Sequence, residues 1–151
     1  MDTLGKFIVF EGLDGCGKST QAELLKRHIE GERHKVLLTK EPTQESEAGK
    51  KIIRVLGEDI ALAPAELQEL FAEDRAFHVD KVIQPARMRG ETVISDRYFF
   101  SSFAFGAGAD GLDLKWLIRS NSGFFMPDLT FILAVRPEAC LERMKARGEK
   151  A

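Results

Sequence analysis

Gly12, Gly17, Lys18 and Ser19 stand at the spacing G-x-x-x-x-G-K-S, a pattern suited to gripping a chain of phosphates. Glycines let the backbone turn tightly, so that consecutive N–H groups point inward with no side chain in the way. A helix starting near Lys18 adds the partial positive charge of its N-terminus. The spacing predicts a nucleoside triphosphate on residues Gly12, Leu13, Asp14, Gly15, Cys16, Gly17, Lys18, Ser19 and Thr20, with Lys18 reaching the β- and γ-phosphates and the Ser19 hydroxyl on Mg²⁺. Cys16 reads as a small residue offering its backbone N–H, with a redox-active thiol as the other reading.

A second group of reactive types lies at Asp96-Arg97, directly after the apolar run Thr92-Val93-Ile94-Ser95. A charge at the end of a buried strand is costly unless it is paired, and a magnesium ion explains Asp96 better than chance placement does. Arg97 follows where a water-activating acid would stand in a motor or transport ATPase, so it suits clamping a second phosphate. The guanine-reading N-K-x-D segment of regulatory GTPases is absent from the sequence. Together these features favour transfer to an acceptor phosphate over hydrolysis.

These residues need a scaffold, and the hydrophobic pattern supplies one. Phe7–Phe10, Val36–Leu38, Thr92–Ser95 and Leu129–Val135 read as strands. Helices are predicted over 18–30, 47–58 and 64 to about 85, where Pro64 opens the helix, then over 99–122 with a break in the glycine-rich stretch 106–111, and from Pro137 towards Arg147. Alternating strands and helices imply an α/β fold with a parallel sheet covered on both faces. In such sheets ligands bind beyond the carboxyl ends of the strands, where the glycine loop, Glu41-Pro42 and Asp96-Arg97 all fall.

The bulk composition restricts partners. The chain has 151 residues, 44% of them hydrophobic and 30% charged, which is globular usage in the size range of one domain. A net charge of −2 gives no electrostatic case for nucleic acid or a membrane surface. Two cysteines make no disulfide framework, and His28, His34 and His78 have no metal-spaced partners. The N-terminus lacks a signal-peptide pattern and no apolar run approaches the ~18 residues of a membrane span, so a cytoplasmic protein is expected.

The stretch Asp96-Arg97-Tyr98-Phe99-Phe100-Ser101-Ser102-Phe103-Ala104-Phe105 resembles the D-R-Y-x-x-S-x-x-A-[YF] signature of thymidylate kinases. Phe10-Glu11-Gly12-Leu13-Asp14, Glu41-Pro42-Thr43, Leu70-Phe71 with Arg75, Pro127-Asp128-Leu129-Thr130, and Leu141-Glu142-Arg143 to Arg147-Gly148-Glu149 match the same family in order. The resemblance implies a P-loop NTPase-type, three-layer α/β/α fold that phosphorylates dTMP to dTDP with Mg-ATP, and it suggests a homodimer. It would place Phe71 on the thymine ring, Arg75 at a thymine oxygen and Arg97 on the monophosphate. Asp14 would lie near the deoxyribose hydroxyl and the magnesium, which Ser19 and Asp96 hold, while Lys40, Pro42, Ser101 and Phe105 would complete the substrate pocket. Taken as bare residues, Phe71 reads as core and Arg75 as solvated or ion-paired, Ser101 and Phe105 read equally well as packing residues, and a structural ion pair is the alternative to the phosphate clamp at Arg97.

Three departures from the family pattern bear on activity. Lys40 stands where members usually carry an arginine, and Gly15 stands where some place a catalytic arginine. The transition-state arginine is then expected from the lid: Arg147 by preference, with Arg143 as the other candidate. Members also continue beyond the lid, so the expectation is a single kinase domain over 1–151, truncated near the lid and lacking the C-terminal strand and helix, with an exposed sheet edge. Alternatives are a catalytically silent nucleotide-binding module and a kinase for another monophosphate such as dUMP.

Overall fold

The four apolar runs lie side by side in the computed structural model, which describes residues 3–149, as strands β1 (Phe7–Gly12), β2 (Val36–Lys40), β3 (Thr92–Asp96) and β4 (Leu129–Leu133). All neighbours are parallel, in the order β2-β3-β1-β4. The crossover from β1 to β2 passes one way over β3, and the crossover from β3 to β4 passes the other way over β1. The point where direction reverses therefore lies between β1 and β3, and the crevice at their carboxyl ends is the expected ligand site. Register brings Phe10 and Lys40 to either side of Asp96 there.

The central strands bury both faces. Phe7, Val9 and Val93 point to one side, into a cluster with Ile83, Ala86, Tyr98 and Phe99. Phe10 and Ile94 point to the other side, against Ala22, Leu25 and Ile29 of helix α1 (Lys18–Gly31). Coverage on both faces holds only for this centre. On β4 the side chain of Ile132 is 72% exposed, and Leu129 and Phe131 are also exposed. An apolar run records what a strand can bury and not whether a neighbour covers it.

The remaining elements are α2 (Glu47–Leu56), α3 (Pro64–His78), α4 (Gln84–Met88), α5 (Phe99–Phe103), α6 (Leu114–Asn121) and α7 (Pro137–Ala146). The helix expected from Pro64 through about Pro85 widens into a π turn over Val79–Ile83. There the Gln84 N–H donates to the Val79 carbonyl, and Pro85 falls in the first turn of α4, where its missing N–H is harmless. A second π turn, Ala104–Ala109, carries α5 into the glycine-rich break, and the Asp113 side chain then caps α6 by accepting from the Lys115 N–H. No helix among the described residues is long and apolar enough to cross a membrane.

Candidate active site

β1 ends at Gly12 and α1 begins at Lys18, so the glycine loop is the whole connection. Gly17 adopts φ 103°, a left-handed conformation that favours glycine, and no side chain among the described residues caps α1 behind it. The first helical amides therefore face the loop as free donors, the arrangement that binds phosphate. The buried Lys18 side chain lies across the loop, donating to the Gly12 carbonyl at 3.0 Å and the Leu13 carbonyl at 2.8 Å, with Asp14 at 3.8 Å. Ser19 donates from its hydroxyl to the Asp96 carboxylate at 2.6 Å. A hydroxyl and a carboxylate in contact are hard oxygen donors, a set that fits Mg²⁺ sharing its remaining positions with phosphate and water.

On the other side of Asp14 a cavity of about 280 Å³ opens between α3 and α5. Asp14, Pro42, Phe71, Arg75, Arg97, Ser101 and Phe105 all line it. Phe71 and Arg75 come from one face of α3, four residues apart. Lys40 does not join them. It is exposed, and it lines the adjacent groove with Ser19 and Asp96, because successive side chains on β2 alternate faces and Glu41 takes the inward direction.

Arg97 is delivered by an unusual backbone. Its φ is 77°, which costs a non-glycine residue about 1 kcal/mol or more. The bend is held by the Arg97 N–H donating to the Phe10 carbonyl at 2.9 Å and the Ser95 hydroxyl donating to the Arg97 carbonyl at 2.8 Å. It turns the guanidinium back over the strand ends. There it donates to Ser101 Oγ at 2.8 Å and pairs with Asp14, 5.4 Å above the Phe105 ring. Glu11 fixes the floor beneath by accepting from the Tyr98 N–H, the Ser101 N–H and the Ser101 hydroxyl. Burial pushes the Glu11 carboxyl above its ordinary value, against these hydrogen bonds and the nearby Arg97 charge. Burial, with Glu41 adding to it, likewise pushes the Tyr98 phenol up.

Arg75 is almost fully buried and anchored on several sides. Glu41 Oε2 accepts from its Nε at 2.9 Å and lies 2.7 Å from Nη2, while Asn121 and Ser102 accept from the other edge. His78, also buried, bridges Glu41 Oε1 at 3.0 Å and the Thr39 hydroxyl at 2.7 Å. One turn along, Asp74 accepts from the Thr43 N–H and from the hydroxyls of Thr43 and Ser46, fixing the segment after Glu41 to α3.

Comparison with known proteins decides what such a site belongs to. The family model described as thymidylate kinase matches residues 10–151. The chain belongs to the thymidylate kinase family.

Among curated members of that family, the probable thymidylate kinase of Pyrococcus horikoshii is 48% identical over 149 residues, covering 95% of this chain and 72% of the relative. The thymidylate kinase of Bifidobacterium longum is 38% identical over 160 residues, covering 96% and 77%. Among solved structures, the thymidylate kinase of Ehrlichia chaffeensis superposes with a TM-score of 0.78 at 30% identity, covering 94% of this chain and 79% of that one. Family membership makes this chain a nucleotide-binding kinase of the transferase class, on the α/β fold read from the sequence.

The structure also gives physical content to the family departures. A Cβ at Gly15, where some thymidylate kinases carry an arginine, would stand 2.5 Å from the Cys140 carbonyl oxygen and 2.9 Å from Met144 Cγ. Helix α7 occupies that direction, so this backbone carries no side chain there. α7 instead presents its own arginines to the groove beside Gly15, Gly17 and Thr20. Arg143 reaches the carbonyls of Gly15 and Cys16 at 3.4 Å, whereas Arg147, the residue preferred on sequence grounds, pairs with Glu149. Sequence reasoning gave no part to His78, Asp74, Asn121 or Gln68. Their only signal is polarity at helix positions that face the core.

Proposed function

We propose that this chain transfers the γ-phosphoryl group of ATP to dTMP, giving ADP and dTDP, as a step of dTTP biosynthesis within one kinase domain formed by residues 1–151. The observation that carries the reading is the position of Asp14. It belongs to the phosphate loop, lines the acceptor cavity and pairs with Arg97, so donor and acceptor sites abut. The names of the relatives agree with dTMP as the acceptor.

In this reading the loop amides and Lys18 hold the β- and γ-phosphates, and Arg97 turns from Asp14 to the acceptor phosphate and aligns it with the γ-phosphorus. Phe71 stacks on the base and Arg75 donates to a base oxygen. Ser19 and Asp96 would hold Mg²⁺, which would supply positive charge to offset that of the triphosphate. The acceptor is already anionic, so these residues act by positioning and charge neutralisation and no general base is needed. Arg143 or Arg147 supplies the positive charge on the open side.

A coupled ADP-release assay across dTMP, dUMP, dCMP and AMP tests this. The expected kcat/KM for dTMP is at least about tenfold above the others, the scale set by a well-fitted methyl and a donor-only arginine. Tight ATP binding without turnover of any monophosphate would refute it.

A further inference from the structure

Polar groups on the wall of the acceptor cavity are nearly all bonded to protein. Arg75 is held by Glu41, Asn121 and Ser102, Ser101 by Glu11 and Arg97, and Arg97 by Asp14. Among the buried polar side chains of this wall, Gln68 is the exception. It lines the cavity, is only 4% exposed, and its Oε1 is buried with no hydrogen-bond partner among the described residues. The other such amide, Gln84, lines none of the three cavities described here. A buried carboxamide without a bond is unfavourable, so a fold that keeps one at a ligand cavity has a reason to do so.

Its placement supplies the reason. Gln68, Phe71 and Arg75 follow at i, i+3 and i+7 on α3, one face of the helix, and all three line the cavity. Gln68 is also held from behind. A Cβ at Gly106 would stand 3.4 Å from Gln68 Cδ and 2.8 Å from Leu117 Cδ1, so the backbone of the second π turn packs directly on the amide. The end of the cavity that takes the base thus contains an aromatic face, a guanidinium and one unpaired carboxamide.

A thymine ring presents an N3–H between two carbonyl oxygens. Arg75 has donors only and cannot accept from N3–H. Ser102 Oγ and Asn121 Oδ1 already accept from Arg75. A carboxamide carries one acceptor and one donor side by side, matching N3–H and an adjacent carbonyl. We propose that Gln68, its carboxamide turning from the wall toward the bound ring, is a second base-reading residue, accepting from N3–H of the acceptor pyrimidine and donating to a neighbouring ring oxygen. This rests on the dTMP reading above.

The test compares dTMP with N3-methyl-dTMP on the wild-type enzyme and on Gln68→Leu. In the wild type, N3-methylation should raise KM at least about tenfold, because a site built around a hydrogen bond rejects the analogue lacking it. In Gln68→Leu the KM for dTMP should rise by about tenfold, and the N3-methyl penalty should shrink to about threefold or less, with KM for ATP unchanged. A wild-type dTMP KM in Gln68→Leu, or an equal N3-methyl penalty in both enzymes, overturns the proposal. If Gln68→Leu does not fold, equal KM values for the two nucleotides on the wild type overturn it alone. Should the wild type neither bind nor turn over dTMP, the function reading itself fails, and that outcome is distinct from turnover that ignores N3.

Discussion

Replacing Arg75 tests the buried charge network and the base-reading role at once, and the structure separates the two. The side chains of Arg75 and Glu41 are 1% and 2% exposed and meet at 2.7 Å, with His78 on the second carboxylate oxygen. In Arg75→Met the packing volume is largely kept, but Glu41 is left as a buried carboxylate with the imidazole as its remaining partner. Breaking a buried pair from one side costs about 3–5 kcal/mol, against a total stability of roughly 5–15 kcal/mol for a domain. Replacing both charged groups, as in Arg75→Met/Glu41→Gln, should return to within about 2 kcal/mol of wild type, since a neutral buried pair no longer carries the desolvation cost. Urea denaturation of the wild type, both single variants and the double variant gives the coupling energy directly. Both variants lacking Arg75 should also lose dTMP affinity by at least about tenfold, through the missing donors to the base. Equal instability of Arg75→Met and the double variant would refute the desolvation argument. Unchanged dTMP affinity in the double variant would refute the base-reading role.

Lys18→Ala should lower kcat by about a hundredfold or more, the scale of removing one charged donor from a phosphoryl-transfer site. Its stability should stay within about 1 kcal/mol of wild type, because water can reach the two loop carbonyls that the ammonium leaves. Arg143→Ala should reduce kcat by about tenfold or more, and by more than Arg147→Ala does, since Arg143 reaches the loop while Arg147 is tied to Glu149; the reverse order in steady-state assays would return the role to Arg147. For Glu11 the sign follows from burial. Its pKa is raised in the folded state, so the native protein binds the proton more tightly than the unfolded chain, and this contribution to stability is present at low pH and lost as pH rises through the raised value. The stability of wild type minus that of Glu11→Gln should therefore fall as pH rises above the ordinary glutamate value of about 4 in denaturation series; a difference that grows with rising pH would contradict the burial argument.

What the sequence made legible was local. The glycine loop could be read because its conformation and its chemistry are both encoded within a few consecutive residues, and Asp96-Arg97 because it closes an apolar run. Phe71 and Arg75 could be placed on one helical face by spacing alone. The partners of Arg75 could not, because Glu41, Ser102 and Asn121 lie 27 to 46 residues away along the chain and meet it only after the sheet and α6 have packed. The π turns were not legible either, since a helix widened by one residue keeps nearly the same hydrophobic pattern. Lys40 was assigned to the substrate pocket by the family resemblance, as the residue standing where members carry an arginine ahead of Glu-Pro, and the alternation of β2 sends it to the neighbouring groove. Arg147 and Arg143 lie one helical turn apart at the end of α7, and only the packing of that helix on Gly15 distinguishes them.

The left-handed backbone at Arg97 sets two selection pressures against each other. Glycine at this position would relieve the strained φ of 77° and release about 1 kcal/mol or more to the fold. It would also delete the guanidinium that aligns the acceptor phosphate. A library screened only for heat resistance should therefore enrich glycine or asparagine at residue 97 and drift towards a sturdier protein that no longer transfers phosphate, whereas a screen that demands turnover should hold the arginine and collect its stabilising changes elsewhere.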